Sequence, residues 1–490
     1  MLTTESRIVL YAVALLIGLA IFAKVRSHRM RQAVLLIGSY ALYATWGLWF
    51  AAVLLASTVM NFLFGQALRR KESALVLWIG IVCNLLLLGG FKYLPGFATS
   101  LPFASLQNFS HIALPLGISF WTFQAMSYLF DLYRGEELDP TLWEFALYMA
   151  FFPVAISGPI CRMPEMLPQF RSEAPLQRSD MSHGLFRIAT GALMMQLGQL
   201  LGRGILNVGG INAGFDQVKQ WSGPDVWCLA FGYGLQLFFD FAGYSHIAIG
   251  TAKMLGFTVP ENFARPFAST TPSIFWTRWH MSLSFWIRDY VFLPLATLRR
   301  EIWWRNLALV ISMVLFGVWH KATLLFVLWG CYHGVLLVLH RQVQQVERKF
   351  NLEPPPALWT PLSWLVTITL VSFGWIFFRA SSLPQAGQMF SALLSPATYS
   401  THFLPLPLYL LVLVLALLYA AVLLLIAALD RRSERLGMPE ATSRSEVLGI
   451  VVRDRWVWLT PMYAFALLIA TWLVTRAQSA GAAPFVYRSF

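Results

Sequence analysis

Residues 403–429 read FLPLPLYLLVLVLALLYAAVLLLIAAL, with no charged side chain among them. A bilayer core is crossed by about 20 apolar residues in a helix. Lipid offers no partner to a loose backbone N–H or C=O, so a run of this kind in a membrane must be helical. Further apolar segments fill most of the chain, at 8–23, 33–50, 51–68, 74–91, 113–130, 143–160, 184–202, 226–252, 303–319, 322–339, 362–378 and 456–474. Some of these are short or polar, so the expected number of transmembrane or re-entrant helices is about 11–13. Composition agrees: 58% of residues are hydrophobic and 12% charged, against roughly 25% charged in a soluble domain. The reading is an all-α integral membrane protein. Its core is expected over 1–455, followed by a C-terminal transmembrane helix and tail over 456–490.

The net charge of +13 raises nucleic acid as a partner, and the distribution of that charge argues against it. Basic residues gather in short links between apolar runs: Lys24, Arg26, Arg29 and Arg31, then Arg69, Arg70 and Lys71. Loops of this type face the cytoplasm. The apolar stretch between them is too long for one pass and suits a helical hairpin turning near Trp46–Gly47. That arrangement places the N-terminus outside. The four cysteines, Cys83, Cys161, Cys228 and Cys331, lie in apolar surroundings without metal-like spacing and read as small buried residues. The first apolar run lacks a small-residue cleavage site and is expected to be retained.

Segment 260–300 differs from its flanks. It reads PENFARPFASTTPSIFWTRWHMSLSFWIRDYVFLPLATLRR, with aromatic and ionisable residues interleaved. At 100° per residue, Trp276, Trp279, Leu283, Trp286, Tyr290 and Leu293 share a face, and Arg278, Arg288 and Asp289 fall opposite. The pattern predicts an interfacial or re-entrant helix.

Ionisable groups kept inside apolar sequence mark working parts of a membrane protein. His320 and Lys321 interrupt MVLFGVWHKATLLFVLWGCYHGVLLVLH (313–340). An unbroken helix over 307–339 would be about 50 Å long, too long for one pass. A break is therefore expected near His320. That imidazole is either a histidine hydrogen-bonded within the bundle or a general base, since its ordinary pKa lies near working pH. His280, His333 and His246 carry the same two readings, and Asp240 is a carboxylate either paired or facing a cavity. There is no Walker loop, dinucleotide-type glycine fingerprint, G-x-S-x-G elbow or H-E-x-x-H zinc helix. His280 and His320 lack acidic or cysteine partners at ligand spacing, so no metal is expected.

Six blocks resemble the bacterial branch of the membrane-bound O-acyltransferase (MBOAT) family. They are LPLGISFWTFQAMSYLFDLYRG (114–135), FFPVAISGPICRMPEMLPQF (151–170), LFFDFAGYSHIAIGTAKMLGFTVPENFARPF (237–267), FWTRWHMSLSFWIRDYVFLPL (275–295), VLFGVWHKATLLFVLWGCYHG (314–334) and SFGWIFFRASSL (372–383). The branch includes alginate and peptidoglycan O-acetyltransferases and teichoic-acid D-alanyl-transfer proteins. The resemblance implies a ring of tilted helices around a central tunnel. It implies that His320 is the catalytic histidine and His280 a second essential polar residue. Trp279, Arg278, Asp289, Asp240, Asn262, Trp319 and His333 are expected to line the tunnel or bind substrate. Three departures bear on the substrate. Lys321 stands where relatives have glycine, His246 where alginate-type proteins have aspartate, and 184–203 lacks their paired lysines.

The terminal pattern Phe485-x-Tyr487-x-x-Phe490 resembles the aromatic motif that ends alginate-type relatives, and Tyr487 is a candidate acyl carrier. The alternative is an aromatic anchor at the membrane surface. The resemblance implies acyl transfer from a cytoplasmic thioester, acetyl-CoA or an acylated carrier protein, with no bound cofactor. An extracytoplasmic transferase partner would complete O-acylation of a cell-envelope polysaccharide, across a bacterial inner membrane whose lipid surrounds the chain. Both termini would lie outside. D-alanyl transfer to a teichoic-acid-like polymer is the alternative within the class. A polymer-precursor flippase is the alternative from another class.

Overall fold

The computed structural model describes residues 4–25, 27–96, 113–205, 208–218, 220–351 and 355–435. Segment 456–474 and the terminal residues Phe485, Tyr487 and Phe490 lie outside them. Helices are the regular elements of the described residues, and an isolated antiparallel bridge joins Phe263 to Trp279. Two compact units interleave along the sequence. The first comprises Met1–Ile188, Tyr244–Asn262 and His280–Leu298; the second comprises Ala189–Gly243, Phe263–Trp279 and Arg299–Phe490.

Among the described residues, seven helices are long and apolar enough to cross a membrane: Leu48–Arg70, Ala74–Lys92, Gly223–Met254, Ile302–His320, Leu324–Phe350, Pro356–Arg379 and Leu406–Ala428. Their burial separates two kinds. In the apolar window of Gly223–Met254 89% of residues are buried, against 17% in Leu406–Ala428. The first is a core helix and the second presents its side chains to lipid.

In the first unit, the break expected near Trp46–Gly47 separates helices His28–Ala44 and Leu48–Arg70. Leu48–Arg70 and Ala74–Lys92 are tied by Asn61 and Asn84, both fully buried, whose amides donate to each other at 3.1 and 2.6 Å. Polar bonds of this kind hold helices together where lipid removes the hydrophobic drive.

Segments 113–130 and 143–160 depart from simple spans. The first forms Ile118–Tyr133, in which every residue except Phe130 and Tyr133 is buried. The second forms only the nine-residue helix Leu142–Ala150, because Pro153 removes a donor and disfavours helix in the residue before it. The turns that follow are satisfied by hydroxyls: Phe152 N donates to Ser39 Oγ at 3.1 Å and Ile160 N to Ser282 Oγ at 3.0 Å. Gly117, at φ 74°, lets this loop approach, since a Cβ there would sit 2.1 Å from the Ala155 carbonyl oxygen. Non-helical backbone is tolerated at membrane depth when protein covers it in this way.

In the second unit the expected break at His320 is present. Helix Ile302–His320 ends there, and Leu324–Phe350 returns after Lys321–Thr323. The two arms meet backbone to backbone: a Cβ at Gly317 would fall 2.2 Å from the Phe326 oxygen, and one at Gly330 2.4 Å from the Met313 oxygen. Asp225, in the first turn of Gly223–Met254, anchors the entry to the last described helix. Its carboxylate accepts from Phe403 N at 3.0 Å, Leu404 N at 2.9 Å and the Tyr409 hydroxyl at 2.5 Å.

Within segment 260–300 the single helix expected from the face over 276–293 is corrected. The segment is cut into Pro272–Trp276, Met281–Ile287, a π turn over Arg288–Phe292, and Leu293–Thr297. The burial pattern survives for Trp276, Trp279, Leu283, Trp286 and Tyr290, whereas Leu293 is 45% exposed.

Candidate active site

Helix termination sets the position of His320. It is the last residue of Ile302–His320 and is 6% exposed. Aromatic rings surround it. Phe316, one turn earlier, stacks at 5.5 Å, and Trp319 stands edge-on at 4.6 Å. The returning arm supplies Phe326 at 6.2 Å and Trp329 at 5.8 Å, and Pro356–Arg379 supplies Phe378 at 5.0 Å. Charge interactions are stronger in such buried, apolar surroundings than in water.

Trp329 links His320 to His333. The His333 ring lies 4.9 Å from Trp329 and 5.2 Å from Trp276, and Trp276 is itself 5.7 Å from Trp329. Trp279 joins the same unit through a chain of rings, with Trp375 at 4.9 Å and then Phe378 at 5.8 Å from Trp375. Arg278 points elsewhere, its Nη1 donating to the Ala268 oxygen at 3.4 Å. Asp240, 4% exposed, rests against Gly198, where a Cβ would fall 2.2 Å from its Oδ1.

His280 belongs to the first unit. It is 1% exposed and takes the left-handed conformation at φ 44°. A non-glycine residue there is uncommon and persists only where its surroundings fix it. Asn262 supplies that constraint. Its backbone oxygen accepts from Met281 N at 2.9 Å, and its side-chain oxygen accepts from the Ser282 hydroxyl at 2.6 Å. Its amide nitrogen donates to Ser245 Oγ at 3.1 Å. These bonds turn the chain at His280 and account for the helix break.

Asp289 sits in an ion-pair cluster of the first unit. Arg162 Nη2 reaches its carboxylate at 2.7 Å and Arg288 Nε at 2.6 Å, while Arg134 Nη2 donates to its backbone oxygen at 2.8 Å. Partial burial alone would raise its pKa, but the hydrogen bonds from Arg288 and Arg162 outweigh it and hold the carboxyl below its ordinary range.

Of the residues singled out by sequence, His320, Trp319 and His333 therefore share one ring cluster, and His280 and Asn262 share one hydrogen-bonded turn. Sequence reading placed Trp276 on an aromatic face without a site role and passed over Phe316, Phe326, Trp329 and Phe378. Their signal was helical spacing from the histidines: Phe316 four before His320, and Phe326 and Trp329 seven and four before His333. Among the described residues, no group of three His, Cys, Asp or Glu side chains gathers as a metal site.

Residues 120–383 match the family model described as MBOAT, membrane-bound O-acyltransferase family. The chain is 34% identical over 387 residues to the probable alginate O-acetylase AlgI of Pseudomonas aeruginosa, covering 76% of this chain and 71% of that protein. It is 31% identical over 388 residues to a peptidoglycan O-acetyltransferase of Helicobacter pylori, covering 72% and 71%. Over 296 residues it is 32% identical to a teichoic acid D-alanyltransferase of Streptococcus thermophilus, covering 56% and 69%. The matched span includes both His280 and His320.

Proposed function

The chain belongs to the membrane-bound O-acyltransferase family and is a multi-pass membrane O-acyltransferase, and from that premise we propose that it moves an acetyl group from a cytoplasmic thioester toward a cell-envelope polysaccharide. The observation that carries this reading is His320, held at a helix end inside a cage of aromatic rings. The donor is acetyl-CoA or an acylated carrier protein, presented from the side of the basic loops at Lys24–Arg31 and Arg69–Lys71. Both termini lie on the opposite, extracytoplasmic side of the inner membrane.

His320 takes the proton of an attacking hydroxyl as its oxygen bonds to the thioester carbonyl carbon. The tetrahedral intermediate collapses, the C–S bond breaks, and the thiolate leaves with the proton held by His320. The hydroxyl of Tyr487 is the first acceptor, giving an acyl-tyrosine ester. An extracytoplasmic transferase then passes the acyl group to the polysaccharide. This order solves a geometric problem, because donor and acceptor lie on opposite sides of the bilayer. In the first unit His280 and Asn262 supply a second polar position, and in the second Trp279, Arg278, Asp240 and His333 are assigned to substrate binding or the tunnel lining.

Acetyl is favoured over D-alanyl because the two relatives named for O-acetyl transfer align over more of this chain than the D-alanyltransferase does. Intact-protein mass spectrometry after incubation with acetyl-CoA tests the scheme. We expect one added acetyl group mapped to Tyr487, absent in His320→Ala and Tyr487→Phe. An adduct that persists in Tyr487→Phe removes the acyl-tyrosine step, and one that persists in His320→Ala removes the assigned base.

A further inference from the structure

Three buried polar atoms of one ring cluster in the second unit have no hydrogen-bond partner among the described residues: Trp276 Nε1, Trp329 Nε1 and His333 Nε2. Their side chains are 7%, 1% and 1% exposed. Each ring touches the other two, with centroids 4.9–5.7 Å apart. A buried donor left unmatched costs about 1–3 kcal/mol. Phenylalanine would fill an apolar site without that cost, and Phe316 and Phe378 do so in contact with the same Trp329 ring. Polar groups kept at such a cost inside a membrane protein read as functional.

An indole N–H only donates, so what completes Trp329 and Trp276 is a hydrogen-bond acceptor. The Trp329 ring stands at right angles to His320, at 5.8 Å and an interplanar angle of 89°. Acyl transfer needs both a base for the hydroxyl proton and donors for the oxygen on which negative charge develops. His320 supplies the first of these functions.

We propose that the indole N–H groups of Trp329 and Trp276 form the oxyanion site for the thioester carbonyl. The proposal rests on His320 being the general base. As the hydroxyl oxygen bonds to the carbonyl carbon, the π pair moves onto the carbonyl oxygen, and the two N–H groups stabilise that charge. When the C–S bond breaks the charge returns to the C=O bond. His333 is the positioning residue behind both indoles. Its ring is edge-on to each, and its Nε2 packs against Gly374, where a Cβ would fall 2.3 Å away.

The test is steady-state acetyl transfer from acetyl-CoA in everted membrane vesicles of the expressing bacterium, which retain partner and acceptor. Wild type is compared with His320→Ala, Trp329→Phe, and a protein carrying 3-benzothienylalanine at 329. The last keeps the bicyclic shape and replaces the N–H with sulfur, so it reads the donor alone even if the phenylalanine form folds poorly. We expect kcat to fall about 100-fold with KM unchanged, the signature of a lost transition-state donor. A benzothienylalanine protein with wild-type kcat, or one altered in KM alone, overturns the proposal while leaving His320 as base. A wild type inactive with both acetyl-CoA and an acylated carrier protein, or an active His320→Ala protein, overturns the functional reading itself and this inference with it.

Discussion

At the scale of single residues, the ionisable groups were the legible ones. His320 and His280 stood out in sequence because charge is costly where their neighbours are apolar, and the fold buries both. Trp329 and Trp276 carried no site role in the sequence, since a tryptophan on an apolar or aromatic face ordinarily reads as core. Their N–H groups, unmatched among the described residues, emerge only when the surrounding rings are in place. Asp289, expected to line the tunnel or bind substrate, is bonded by three arginines. Its folded-state pKa is depressed, so it contributes stability above its unfolded value near 3.8 that is lost as pH falls through the folded value. Asp289→Asn should therefore lower the melting temperature at neutral pH, with the difference from wild type shrinking as pH drops below that range. Melting curves of detergent-solubilised protein across pH check this; a constant difference at all pH values would remove the ion pairs as its cause.

At the scale of elements, local sequence placed breaks well and missed those imposed from a distance. The turns at Trp46–Gly47 and Lys321–Thr323 follow from apolar runs too long for one pass. The break at His280 does not, because it is made by Asn262 through bonds to Met281 and Ser282. No helical periodicity within 276–293 reports a competitor eighteen residues upstream of His280, so the aromatic stripe reads as one helix. The hairpin that presents His320 depends on backbone contact between its arms. Gly330→Ala would drive a Cβ to 2.4 Å from the Met313 oxygen, whereas the same change at Gly90 meets nothing within 4 Å. We expect Gly330→Ala to destabilise by about 1–3 kcal/mol and Gly90→Ala to be neutral or stabilising by about 0.5–1 kcal/mol. Thermal unfolding in one detergent compares them, and equal melting temperatures would mean the arms are not held this closely.

At the scale of the whole molecule, composition fixed the class and left the number of spans open. Segments 113–130 and 143–160 are as apolar as true spans, but one is a helix wrapped by protein and the other a short helix followed by covered turns. Hydropathy measures how apolar a stretch is, and whether lipid or protein covers it depends on contacts far along the chain. The family match spans 120–383, and the ring cage of His320 falls within it. The reading of the whole protein therefore turns on whether that imidazole is the base. Radiolabelled acetyl transfer from acetyl-CoA to polymer in everted vesicles, with wild type and His320→Ala matched for membrane abundance and melting temperature, tests it most directly. The account predicts transfer by wild type and none above background from His320→Ala; transfer by His320→Ala at the wild-type rate would contradict it.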